Sequence, residues 1–193
     1  MLYILRNSHY HIPMRIKCND SLCLIIDIQE RLFPHMACKE DLLRNTLVLL
    51  EGLKVLKVPV IFTEQYRKGL GPTIPEIISA ADSFMPLEKS SFSCMDDKGI
   101  REALKNAGKK FVILAGIESH VCVLQTAIDL LEQGYVPVIV EDCVSSRHKA
   151  SKETALRRLV QAGAVPVSAE TLLFELLRYS GTEDFKKISR IIK

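Results

Sequence analysis

Three residues able together to cleave an acyl bond stand at or beyond the ends of apolar runs: Asp27, Lys89 and Cys122. Asp27 closes SLCLIID at Ser21 to Asp27, and Lys89 ends the segment Met85 to Lys89. Cys122 follows the run Phe111 to Ala115, at the start of a helical pattern. A cysteine attacks as its thiolate, which a helix N-terminus and a nearby lysine favour. A carboxylate beside it can take the thiol proton and return it to a leaving group. Asp27 carries the stronger local argument, because a carboxylate directly after an apolar run needs a partner or a ligand. Position alone leaves other roles open: Cys122 as an inert core thiol, Lys89 as a solvated surface cation.

The elements that must position these groups follow from the hydrophobic pattern. Ser21 to Asp27 and Val58 to Thr63 are continuous apolar runs, as strands buried on both faces are. Met85 to Lys89 reads as a short edge strand, and Phe111 to Ala115, Val136 to Val140 and Val165 to Val167 as three more. Between them lie helical patterns over Glu40 to Leu56, Asp97 to Ala107, Val121 to Gln133 and Lys149 to Ala162, the last three each ended by a glycine. In the first helix the expected core stripe is Leu43, Leu47, Leu50 and Leu53, with Gly52 weakening the last turn. Further helical stretches lie near Thr171 to Tyr179 and Glu183 to Ile192. Glu64 to Pro75 is a polar, Gly/Pro-rich loop of a length usually tied to function. The alternation predicts an α/β fold: a three-layer, doubly wound parallel sheet of about six strands, Rossmann-like, with helices on both faces. Ligands of such sheets bind outside the carboxyl ends of the strands, where the three residues fall.

Composition narrows the function classes. The chain has 193 residues, 48% hydrophobic and 25% charged, which suits one folded domain rather than a fibrous or disordered chain. Residues 1–20 read as an N-terminal extension to a domain at 21–193, with Met14 as a candidate start. The apolar run Met1 to Leu5 is too short for a signal core or a membrane span. A formal charge of +3 is small and dispersed, so nucleic acid is not an expected partner, and with no longer apolar run read as a span neither is a membrane. The six cysteines, Cys18, Cys23, Cys38, Cys94, Cys122 and Cys143, lack both the density of a disulfide scaffold and any C-x-x-C pair. They point to a reducing, cytoplasmic setting.

Weaker motifs carry their blander readings. Gly69-Leu70-Gly71 is followed by Pro72 and opens no helix, so a dinucleotide loop is not expected. Ser119 lacks the glycine two residues on that a serine-hydrolase elbow needs. His9 and His11 read as solvated, and Lys186, Lys187, Arg190 and Lys193 as a solvated face or subunit contact. Cys143 could approach Cys122 across neighbouring strand ends or be buried filler.

Four segments bring a family into view: LIIDIQERLF at Leu24 to Phe33, EKSSFS at Glu88 to Ser93, GIESHVCVLQTAIDLLEQGY at Gly116 to Tyr135, and EDCVSSR at Glu141 to Arg147. They resemble the isochorismatase-like cysteine hydrolases, in the family's order, over most of residues 21–170. The loop TEQYRKGLGPTIPE at Thr63 to Glu76 is similar to the isochorismatase-domain-containing branch. The resemblance implies a triad of Asp27 as base, Lys89 as the cation holding thiolate and carboxylate in register, and Cys122 as nucleophile. It also implies backbone oxyanion donors beside Cys122 and a non-proline cis peptide at Ile117–Glu118. The implied reaction is hydrolysis of a small amide, carbamoyl or ester substrate through a thioester, without a cofactor.

Two departures from the family shape the expectation. Isochorismatases proper are expected to lack the cysteine, which argues against isochorismate as substrate. The metal-binding D-x-H…H pattern of nicotinamidases is absent from TEQYRKG, so no zinc or iron is expected. Gln29, Phe33, Tyr66 and Phe92 are candidate substrate contacts, each equally able to be core, and His120 is a further one that lines the pocket or packs near the nucleophile. A homo-oligomer is implied by the family, and a non-catalytic metabolite- or protein-binding member is the alternative function.

Overall fold

A computed structural model describes residues 15–193. Residues 1–14, with His9, His11 and Met14, lie outside the described region. Six strands form a single parallel sheet: β1 (Ser21–Ile26), β2 (Val60–Gln65), β3 (Leu87–Lys89), β4 (Phe111–Ile117), β5 (Val136–Ser145) and β6 (Val165–Val167). Their order is β3-β2-β1-β4-β5-β6. The chain runs outward from β1 in one direction, then returns to β4 and runs outward in the other. β1 and β4 therefore flank the switch point where ligands of doubly wound sheets bind.

Eight α-helices accompany the sheet among the described residues: α1 (Lys39–Val55), α2 (Arg67–Leu70), α3 (Pro75–Ala80), α4 (Lys98–Ala107), α5 (Leu124–Glu132), α6 (Lys149–Ala162), α7 (Ala169–Leu177) and α8 (Glu183–Ile191). Period-two alternation divides the central strands between two cores. On β1, Cys23 and Ile25 face Leu49, Leu50 and Leu53 of α1, Leu172 and Leu173 of α7, and Ile188 of α8. Leu22, Leu24 and Ile26 face Ile100 and Leu104 of α4, Ala127 and Leu130 of α5, and Leu159 of α6. Every residue of β1 and β4 is buried, so neither strand shows a polar face. Each such Leu or Ile contributes roughly 1.5–3 kcal/mol by leaving water.

The strand and helix map expected from the pattern stands, with shifts that have physical causes. α1 buries Leu42, Thr46, Leu49, Leu50 and Leu53, whereas Leu43 and Leu47 lie half-buried on its flank. The expected stripe is thus turned by about one residue, because α1 packs on the sheet and on α7 and α8 together. Gly52 is not a weak point of α1 but a contact: a Cβ there would stand 2.4 Å from Leu173 of α7. The stretch 64–75 is also more regular than a loop, since β2 continues to Gln65 and α2 follows. Residues ahead of β1 already join the core: Ile16 is buried, and its N–H donates to Glu175 Oε1 at 2.7 Å.

Gly116 fixes how β4 meets β1. It pairs with Ile26 and has φ +122°. A Cβ at this position would lie 2.0 Å from the Ile26 carbonyl oxygen, so only glycine permits the approach. The register of β4 against β5 shifts between Leu114 and Gly116, which re-aims the chain as it leaves the sheet.

Candidate active site

Asp27 follows β1 with φ 52°, a left-handed conformation that aspartate tolerates better than most residues. The turn directs its carboxylate into a fully buried position. Thr63 Oγ1 of β2 donates to Asp27 Oδ1 at 2.7 Å, and Lys89 Nζ donates to Oδ2 at 2.7 Å. Lys89, the last residue of β3, is a buried cation rather than a surface one. Its Nζ also lies 3.1 Å from Gln65 Oε1, 3.1 Å from Ser91 O and 3.2 Å from Phe92 O. Burial works against the ammonium. The Asp27 carboxylate, by its charge and its hydrogen bond, outweighs it and holds the Lys89 pKa above the usual lysine value.

Cys122 sits in a single wide π-turn, Ser119–Val123, that precedes α5, rather than in the first turn of the helix expected from Val121. The turn is anchored by the Glu118 carbonyl, which accepts from the N–H groups of Val121 at 3.1 Å and Val123 at 3.3 Å. The peptide joining Ile117 and Glu118 is cis. Only 6% of Cys122 is exposed, and Sγ donates to Gln65 Oε1 at 3.2 Å. The expected preference for thiolate is reversed. Burial first, and then the charge of Asp27, push the thiol pKa well up, and Lys89 opposes them only in part. Burial and the Asp27 charge thus both favour the neutral thiol beside the Asp27–Lys89 pair.

Two groups not singled out from the sequence complete the arrangement. Gln65, paired in register with Lys89 across β2 and β3, places its carboxamide between Lys89 and Cys122. Cys94 lies in the same core as Cys122, its N–H donating to Thr126 Oγ1 at 3.0 Å. Burial pushes its thiol up to about 11. Cys143 lies in the opposite core, with α1 and α7, and takes no part in this cluster. Ser119 Oγ is buried with no hydrogen-bond partner among the described residues.

The expected substrate contacts separate into three groups. Gln29 is completely buried, and its Nε2 donates to Gln65 O at 3.0 Å and Gly71 O at 2.6 Å, while its Oε1 accepts from Gln65 N at 2.8 Å. With these contacts it ties β2 to the loop after it and positions Gln65. Phe33 is half-buried on the flank of the core around Met36, Leu42 and Ile117. Tyr66 and Phe92 are exposed, at the carboxyl end of β2 and in the turn after β3. His120 is partly exposed, with Nδ1 2.9 Å from Ser146 Oγ. Glu118 is buried at the rim, and its Oε2 accepts from Arg147 N at 3.0 Å and Nε at 3.2 Å.

Among the described residues, no group of three or more His, Cys, Asp or Glu side chains converges as metal ligands would. No helix among them is long and apolar enough to cross a membrane. A surface cavity of about 430 Å³ lined by Leu50, Lys54, Val58, Phe62 and Ala80 opens at the amino end of β2, and none of the three residues lines it.

This arrangement of strand ends can be compared with known proteins. The profile of the Isochorismatase domain matches residues 21–171. The chain belongs to the isochorismatase family. It is 38% identical over 179 residues to Isochorismatase domain-containing protein 2 of Danio rerio, covering 92% of this chain and 89% of that protein. It is 36% identical over 183 residues to the secreted isochorismatase effector Isc1 of Phytophthora sojae, covering 93% and 87%. Among solved structures, MAR1 ribonuclease from Caenorhabditis elegans superposes with a TM-score of 0.86, 35% identity and 92% of each chain covered. The Escherichia coli ycaC gene product, described as an octameric hydrolase of unknown specificity, superposes with a TM-score of 0.87, 25% identity and coverage of 93% and 89%.

Proposed function

We propose that the protein is a cysteine hydrolase acting on a small amide, carbamoyl or ester substrate, with Asp27, Lys89 and Cys122 as its working groups. The observation that carries this reading is the buried chain of contacts from Asp27 through Lys89 and Gln65 to the Cys122 thiol. Family membership supports hydrolysis, and the E. coli neighbour is itself called a hydrolase.

In this mechanism Cys122 Sγ attacks the substrate carbonyl carbon as the thiol proton passes to the Asp27 carboxylate. The carbonyl π electrons move onto oxygen, where backbone N–H groups of the π-turn stabilise the charge. Collapse of the tetrahedral intermediate breaks the C–N or C–O bond, and Asp27 returns the proton to the departing amine or alcohol. Water then adds to the thioester, giving a proton to Asp27. The acid leaves, and Sγ takes the proton back. Lys89 keeps Asp27 oriented and opposes the charge on sulfur. Tyr66 and Phe92, exposed beside the ends of β2 and β3, and His120 are the proposed substrate contacts.

A homo-oligomer is part of this reading, supported by the octameric neighbour. All six cysteines are free, which supports a reducing, cytoplasmic setting, although the Phytophthora relative is secreted. The name of the C. elegans neighbour favours a second reading, RNA cleavage. One panel separates the two: small amides, carbamoyl compounds, esters and an end-labelled RNA, each given to wild type and Cys122→Ser. Hydrolysis of a small acyl compound that is lost in the variant supports the proposal. RNA cleavage retained in the variant, with no acyl hydrolysis, supports the second reading instead.

A further inference from the structure

The Lys89 ammonium has three N–H donors and four acceptors around it: Asp27 Oδ2, Gln65 Oε1, Ser91 O and Phe92 O. No donor is left for a thiolate or a substrate. Three of the acceptors are held in place, one by the ion pair and two as backbone carbonyls of the turn after β3. The fourth ends a half-buried side chain with rotatable bonds, whose Nε2 makes only a long 3.4 Å contact to Ser90 O. The same Oε1 also accepts the Cys122 S–H at 3.2 Å. That contact offers the thiol proton a carboxamide oxygen, which cannot serve as a base, in competition with the neighbouring Asp27 carboxylate.

We infer that the Gln65 carboxamide is a latch on the nucleophile, holding the Cys122 S–H and one Lys89 N–H until an entering substrate carbonyl displaces it. With the latch in place, hydrogen bonding to the neutral thiol opposes its ionisation. Displacement frees the S–H to pass its proton to Asp27 while Sγ bonds the carbonyl carbon, and it frees one Lys89 N–H to face the sulfur. Gln65 gains and loses no proton. It is a positioning residue, acting through Lys89 and Cys122, and it couples reactivity of the thiol to occupancy of the site. Gln29 serves the latch by clamping Gln65 at both its backbone N–H and its C=O.

The inference rests on the reading of Cys122 as nucleophile, and its test needs no substrate. The rate of iodoacetamide alkylation at Cys122 is followed against pH by peptide mass spectrometry in wild type, Gln65→Met and Gln65→Glu. The exposed Cys38 in the same molecule serves as reference. The charged and titrating groups around the thiol are Asp27, Lys89 and Cys94, and they are unchanged in each variant. Gln65→Met, which keeps the length but removes the acceptor, is expected to alkylate Cys122 about tenfold faster near neutral pH, with the profile moved to lower pH. Gln65→Glu keeps an acceptor and adds negative charge, so it is expected to slow alkylation and move the profile upward. A Cys122 rate in Gln65→Met at or below wild type, or a rise shared by Cys38, overturns the latch. Failure of the nucleophile reading looks different: acyl hydrolysis then survives in Cys122→Ser, whatever Gln65 does.

Discussion

Lys89 Nζ stands 2.7 Å from Asp27 Oδ2, and both side chains are wholly removed from solvent. A buried pair of this kind resists loss of one partner far more than loss of both, since a single charge is left without its counterion. Lys89→Met and Asp27→Asn are each expected to destabilise the fold by about 3–5 kcal/mol. The double variant is expected to lose clearly less than the sum of the two. Urea unfolding of the four proteins checks this, and additive losses would show the pair to be uncoupled.

Stability should fall at alkaline pH, and the sign follows from proton binding. Cys94 is raised from 9.0 to about 11, so between those values the folded state keeps a proton that the unfolded chain has released. Each such group lowers stability as pH rises, by about 1.4 kcal/mol per pH unit inside its window. Lys89, also raised, adds stability below the ordinary lysine pKa that is lost at still higher pH. Urea midpoints should therefore decline above about pH 9. Cys94→Ala should flatten the decline between pH 9.0 and about 11.

Gly116→Ala is expected to cost about 3 kcal/mol or more and to abolish hydrolysis, because the new Cβ would meet the Ile26 carbonyl at 2.0 Å and a φ of +122°. Ala115→Gly, one residue away in the same strand, should lose stability without comparable loss of turnover. Thermal unfolding and hydrolysis measured together separate packing from site geometry.

Ser119→Ala should stabilise the ligand-free protein by about 1 kcal/mol, since the buried hydroxyl has no partner among the described residues. A loss of stability on urea unfolding would mean that the hydroxyl is satisfied in solution.

Much of the fold was legible because α/β sheets write themselves as apolar runs with glycine stops. Asp27 and Lys89 were visible as charges at strand ends, and Cys122 through the motif around it. The face of α1 was not, because a helix packed on a sheet and on two other helices has no single stripe. Gln65, at the end of the second strand, was given no role for a different reason. Its place depends on the register that sets it beside Lys89, and no local pattern encodes which residue of β2 pairs with which of β3. Nor did the sequence show that burial would reverse the expected bias of the Cys122 thiol, since its distance from water is a tertiary property. Gln29 had the type and position of a substrate contact, yet its amide is occupied within the loop.

The central claim is a covalent bond between Cys122 and the acyl group of the substrate. Rapid acid quench during turnover of a compound the protein hydrolyses, followed by peptide mass spectrometry, tests it directly. The mechanism predicts an acyl adduct on the peptide holding Cys122, released by hydroxylamine and absent from Cys122→Ser, which no longer turns over. Undiminished hydrolysis by Cys122→Ser, with no adduct in wild type at any time, would contradict it.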